Sequence, residues 1–223
     1  MNPRLVAHRG DTTHFQENSL EAFISAFDQG ADGVELDVQL HNGKLVVIHD
    51  YLFDDTQEHL PLSLVFEKLK NRGFLEIEIK GYELEILPQL KKVVSHYNLQ
   101  NFEIVSAEPP LVPFIQKYFP LSLRGLIIKP SMINSWMTQE HIKRLILGYI
   151  RLTQCSVIHL PLEILTSQLI EMIHDNNVIC HTLIDGLSSI AAKKVKMLDI
   201  DLCCITDIKM IDIFNKISFS TAD

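Results

Sequence analysis

A chain of 223 residues, 47% hydrophobic and 22% charged, has the composition of an ordinary globular domain and enough length to bury one sizeable core. Its formal net charge of −8 argues against nucleic acid and anionic membrane as partners held by bulk attraction. No stretch supplies the roughly 18 uninterrupted apolar residues of a membrane-spanning helix.

The opening, MNPRLVAHRG, lacks an apolar h-region, so no leader is expected. Leu5-Val6-Ala7 is a short apolar strand that breaks at His8-Arg9-Gly10, where glycine allows a turn. A helix comes next: Asn18 or Ser19 can cap it, Glu21 lies in its first turn, Leu20, Phe23, Ile24 and Phe27 form its apolar face, and Gly30 stops it. Gly33 opens a second strand, Val34–Val38, whose alternation sends Glu35 and Asp37 to one face and Val34, Leu36 and Val38 to the other. Two neighbouring carboxylates repel unless a positive group lies between them, and a hard divalent cation with oxygen ligands meets that need. His41-Asn42-Gly43-Lys44 reads as a hairpin turn, after which Leu45–Ile48 returns and delivers His49-Asp50 at its end.

Tyr51–Leu60 has no clear period, and Pro61 precedes a helical pattern, Leu62–Lys70, ended by Asn71-Arg72-Gly73. In the next strand, Phe74–Lys80, alternation puts Glu76, Glu78 and Lys80 on one face, and their apolar neighbours imply burial. Helical patterns then recur at 83–97, 110–118, 138–151, 162–174, 187–197 and 210–216, separated by apolar runs at 102–106, 125–129, 157–160, 178–183 and 202–206. With the strands at 5–7, 34–38 and 75–79 these make eight alternating units and a hairpin extra. Such a series predicts one domain over residues 1–223, an α/β chain folded as a (β/α)8 TIM barrel with its site at the C-terminal strand ends. Cys155, Cys180, Cys203 and Cys204 lie in or beside apolar runs without metal-ligand spacing, so four reduced thiols and a cytoplasmic location are expected.

At its charged strand ends the chain resembles the glycerophosphodiester phosphodiesterase family, within the superfamily that includes phosphatidylinositol-specific phospholipase C. The matching elements are His8-Arg9-Gly10, Glu17-Asn18-Ser19, Gly30-Ala31-Asp32, Glu35-Leu36-Asp37, His49-Asp50, Ile77-Glu78-Ile79-Lys80 and the terminal Ile205-Thr206-Asp207. The resemblance implies that Glu35, Asp37 and Glu78 hold Mg2+ or Ca2+, that Arg9 and Lys80 meet the phosphate, and that His8 and His49 divide the roles of acid and base, with the assignment open. It further implies hydrolysis of a small-molecule glycerophosphodiester to sn-glycerol 3-phosphate and an alcohol; a homo-oligomer is left open. The chain departs from the family in a reduced insertion after the second strand region, where relatives shape the pocket around the substrate alcohol. It departs again at His181, where they carry a tryptophan that walls the substrate site. Lys129 and His159 are candidate substrate contacts, set against solvated strand ends. Two rival readings are a phospholipase D of the sphingomyelinase type, disfavoured by a short chain with reduced cysteines, and a barrel that binds a phosphorylated ligand without turnover.

Overall fold

In the computed structural model, which describes residues 2–50 and 58–217, strands and helices alternate along the chain. The order is β1 (Arg4–Ala7), α1 (Leu20–Asp28), β2 (Gly33–His41), β3 (Lys44–Val47), β4 (Leu60–Pro61), α2 (Leu62–Leu69), β5 (Phe74–Ile79), α3 (Ile86–Tyr97), β6 (Phe102–Ser106), α4 (Val112–Tyr118) and β7 (Leu123–Ile127). It continues with α5 (Gln139–Thr153), β8 (Val157–Pro161), α6 (Ser167–Asp175), β9 (Ile179–Ile184), α7 (Ser189–Met197), β10 (Leu202–Ile205) and α8 (Met210–Lys216). Eight strands pair in parallel in the order β1-β10-β9-β8-β7-β6-β5-β2, and β1 also pairs with β2, so the barrel closes. The fold is the expected TIM barrel, with β3 and β4 added antiparallel beyond β2.

Local chemistry accounts for the boundaries. Ser19, one of the two expected caps, accepts a hydrogen bond from the Ala22 amide and starts α1. Asn42 and Gly43 both have positive φ, 48° and 74°, as a two-residue hairpin turn demands. The hairpin also lengthens β2 beyond the expected Val38, because Gln39, Leu40 and His41 keep pairing with β3. The helix expected from Leu162 begins only at Ser167: Leu162–Ile164 is a 3-10 turn, and the Thr166 hydroxyl caps α6. The strand expected at 125–129 sits two residues earlier, at Leu123–Ile127, where β6 and β8 set its register. The connection in which a reduced insertion was expected lies largely at residues 51–57, outside the described residues.

Alternation sorts the side chains as anticipated. Leu36 and Ile77 point outward and are fully buried with Phe23, Phe66, Leu87 and Leu90 from the surrounding helices. Inside the barrel Val6, Phe74, Val157, Leu202 and Cys204 form a separate apolar cluster near the N-terminal strand ends. Above that plug the interior is charged. Pairing brings Glu35 level with Glu76 and Asp37 level with Glu78 on β2 and β5, Glu103 level with Glu76 on β6, and His159 level with His181 on β8 and β9. All four cysteines are buried free thiols. Among the described residues no helix is long and apolar enough to cross a membrane.

Candidate active site

The turn after β1 is shaped by crowding. Gly10 has φ +85°, and a Cβ there would lie 2.6 Å from the Ala22 carbonyl carbon, so α1 can approach the turn only because this position is glycine. Arg9 just before it also takes positive φ, 58°, a conformation uncommon outside glycine. That backbone lets the Arg9 amide donate to Glu35 Oε2 at 3.0 Å while its side chain reaches Glu17 (Nη1–Oε2 2.8 Å) and Asp37 (Nε–Oδ2 3.1 Å). Buried Asp11 secures the rest of the turn by accepting from Ser25 and Gln29 and contacting His14.

Glu35, Asp37 and Glu78 converge: each offers a carboxylate oxygen, and these lie within 4.8 Å of one another. Lys80 bridges two of them, 2.9 Å from Asp37 Oδ1 and 2.6 Å from Glu78 Oε1. Asn18, also at positive φ (57°), clamps the third side of Asp37: its Nδ2 donates to Oδ2 at 2.8 Å and its Oδ1 accepts from the Asp37 amide at 3.2 Å. The sequence singled out Asn18 as a cap or motif member; the structure gives it the separate job of orienting Asp37.

Electrostatics divide the three acids. Burial works against ionising Asp37, but the Lys80 charge and hydrogen bond, the Asn18 hydrogen bond and Arg9 outweigh it and hold Asp37 below the usual carboxylate range. Burial, with repulsion from Asp37 and Glu78, drives Glu35 well above that range despite Lys80 and Arg9. Glu35 Oε1 is buried with no hydrogen-bond partner among the described residues. An all-oxygen trio in which one carboxyl is forced towards its protonated form fits a divalent hard cation, which would take the place of that proton.

His8 borders the same centre, with Nε2 3.9 Å from Glu35 Oε2. Burial pushes its pKa down to about 4, helped by Arg9, Lys80 and His49 and opposed by Asp37, so the ring is neutral near pH 7. A cavity of about 390 Å3 opens above it, lined by Glu35, Glu78, Lys129, His159, Leu183 and others. His49 borders a different hollow, of about 650 Å3, with Glu17, Asn18 and Ser19. Its Nδ1 lies 3.1 Å from Asp50 Oδ1. Gln39 of β2 fixes this corner: its side-chain amide donates to the carbonyls of Ile48, His49 and Asp50 at 3.0, 3.3 and 2.8 Å. Thus Arg9, Lys80, His8 and the three acids meet in one cluster, while His49 stands on the adjoining hollow.

The remaining candidates divide. Lys129 is half exposed on the cavity rim, 3.7 Å from Glu108. His159 is a buried mid-strand residue rather than a solvated strand end, with Nε2 2.9 Å from Glu103 Oε1. His181, expected to replace a wall of the substrate pocket, is fully buried and absent from the cavity lining; it faces Glu76 and His159 inside the barrel. Burial, with His159 and His8 nearby, keeps its ring well below the ordinary histidine pKa. Glu103 was not singled out at all, because a lone acid in an apolar run gives no sign of which way it points.

Known proteins similar to this chain include members of one family. Residues 8–119 match the glycerophosphoryl diester phosphodiesterase family. A glycerophosphodiester phosphodiesterase of Caldanaerobacter subterraneus subsp. tengcongensis is 33% identical over 172 residues, 61% of this chain and 71% of that protein. The fold is similar to a glycerophosphodiester phosphodiesterase of Thermotoga maritima (TM-score 0.74, 20% identity, 95% of this chain and 98% of that one). It is also similar to an Oleispira antarctica phosphodiesterase solved in complex with the product sn-glycerol-3-phosphate (TM-score 0.79, 18% identity, 96% and 97%). With a family match over half its length and 33% identity to a relative of which it covers 71%, the chain belongs to the glycerophosphoryl diester phosphodiesterase family.

Proposed function

We propose that the chain hydrolyses glycerophosphodiesters to sn-glycerol 3-phosphate and an alcohol, with Glu35, Asp37 and Glu78 holding Mg2+ or Ca2+. The observation that carries this reading is the convergence of those three carboxylates beneath neutral His8, with Arg9 and Lys80 as the flanking cations. The ionised trio and its two cationic side chains sum to −1, so with a divalent ion held there the centre would carry +1 and would suit a singly charged phosphodiester. When bound, the ion supplies charge neutralisation at the phosphoryl oxygens.

The chain's own groups do the rest. Arg9 and Lys80 give N–H donors to non-bridging phosphate oxygens. Neutral His8 accepts the nucleophile's proton as the new P–O bond forms. His49, oriented by Asp50, donates a proton to the alkoxide as the P–O bond to the alcohol breaks, and the ring pair returns to its starting state by proton exchange with water. The same proton balance holds whether water attacks directly or the glycerol 2-hydroxyl attacks first to give a cyclic phosphate.

Leaving-group chemistry tests the division of labour. An ester with a strongly acidic leaving group, such as 4-nitrophenol, needs little protonation, so it should restore the rate of His49→Ala and leave His8→Ala slow. Equal rescue of both variants, or of neither, contradicts the assignment. Glycerophosphocholine and sphingomyelin, assayed side by side, separate this reading from a sphingomyelinase-type phospholipase D.

A further inference from the structure

Inside the barrel, where Glu76 and Glu103 stand level with Glu35 and one step below Asp37 and Glu78, Glu76 of β5, Glu103 of β6, His159 of β8 and His181 of β9 form a second cluster whose ligand atoms lie within 4.8 Å of one another. We propose that these four side chains form a second cation site, built for a borderline transition ion such as Zn2+ and distinct from the all-oxygen site of Glu35, Asp37 and Glu78.

The donor set decides the chemistry. Two imidazoles and two carboxylates suit Zn2+, whereas Mg2+ and Ca2+ prefer oxygen alone. A tetrahedral ion with bonds of about 2.0–2.2 Å needs donors about 3.3–3.6 Å apart. The cluster is already compact: His181 Nδ1 to Glu76 Oε2 is 3.4 Å and His159 Nδ1 to Glu76 Oε1 is 3.6 Å, while the other nitrogen of the same ring, His159 Nε2, lies 2.9 Å from Glu103 Oε1, so an ion would take one nitrogen from each ring.

One observation points to a ligand, and a second shows how the cluster is assembled. His181 is fully buried, yet neither of its ring nitrogens has a hydrogen-bond partner among the described residues, and the same holds for Glu76 Oε2 and Glu103 Oε2. Buried polar atoms without partners are rare and expensive, and one nitrogen of His181 and the two carboxylate oxygens could share a common one. The second observation is Gly125 on β7, between β6 and β8. A Cβ there would overlap Glu103 Oε1 outright and lie 2.9 Å from His159 Nε2, so the absent side chain is what lets Glu103 and His159 meet. An ion has a way in, because Glu76 and His159 also line the cavity over the barrel. Once bound it would tie together four of the eight barrel strands.

The test uses the whole chain stripped with chelator and dialysed against Zn2+ in saturating Mg2+, with metal content measured by mass spectrometry and crystals examined for anomalous scattering at the zinc edge. The expected result is about one Zn2+ per chain and an anomalous peak between Glu76, Glu103, His159 and His181. Glu103→Gln and Gly125→Ala should lose that equivalent, whereas Glu35→Gln should keep it. Co2+ in place of Zn2+ should give the intense visible bands of a four-coordinate site. A peak only at Glu35, Asp37 and Glu78, or wild-type crystals with no zinc peak, would overturn the proposal even if a variant failed to fold, and would leave a hydrogen-bonded polar core in its place. Because Mg2+ and Zn2+ are read separately, failure here is distinguishable from failure of the all-oxygen site.

Discussion

Lys80→Met separates two roles that a simple loss of activity would blur. The ammonium touches Asp37 and Glu78 at 2.9 and 2.6 Å, so in the metal-free protein it stands in for part of the cation's charge. It also repels any divalent ion that shares those ligands. Unit charges about 4 Å apart interact by roughly 4 kcal/mol at an effective dielectric of about 20, and a third of that, about 1.4 kcal/mol, is tenfold in a dissociation constant. The variant should therefore bind Mg2+ at least about tenfold more tightly while hydrolysing substrate more slowly. Its metal-free form should lose about 3–5 kcal/mol of stability, as expected when one member of a buried ion pair is removed. Added Mg2+ should raise its thermal midpoint more than that of the wild type. Calorimetric titration and melting curves with and without Mg2+ read both effects. Unchanged or weaker Mg2+ affinity in a folded Lys80→Met protein would refute the reasoning.

The same geometry has consequences at other positions. With the His8 pKa at about 4, below its unfolded value, the acid limb of kcat/KM should lie well below the ordinary histidine range, and a limb near pH 6.5 would assign the base elsewhere. The same depression makes the stability contribution of His8 complete above about pH 6.5 and lost as pH falls through about 4. This amounts to roughly 3 kcal/mol, which His8→Asn should remove from the acid-unfolding curve. Asn18→Leu removes both hydrogen bonds to Asp37 and should weaken Mg2+ binding about tenfold, measured by titration; unaltered affinity would mean that the clamp is not needed. Gln39→Ala frees the carbonyls of Ile48, His49 and Asp50, so kcat should fall more than KM changes, while an equal effect on both would point to substrate binding instead.

Wherever a signal is local, the sequence carried the fold and much of the candidate site's geometry. Alternation placed Glu35 and Asp37 opposite Leu36, and the Asn42-Gly43 turn identified the hairpin that delivers His49. Eight repeats of strand and helix led to a barrel because parallel strands leave few other ways to bury them. The hidden features depend on register across strands distant in sequence. Glu103 and His159 lie 56 residues apart and meet only because Gly125 between them has no side chain. Period-two alternation could not tell that His181 faces the interior beneath the cavity and not its wall. Asn18 was ambiguous for another reason: asparagine caps helices and also tolerates positive φ, and only the structure separates those uses. Gln39 escaped notice because its three acceptors are backbone carbonyls.

The most direct test of the central claim is phosphorus NMR of glycerophosphocholine incubated with chelator-treated protein before and after Mg2+ or Ca2+ is restored. The account predicts no turnover in chelator, appearance of the sn-glycerol 3-phosphate resonance on adding cation, and none with Glu78→Gln at the same cation concentration. Hydrolysis that continues undiminished in chelator, or that survives in Glu78→Gln, would contradict it.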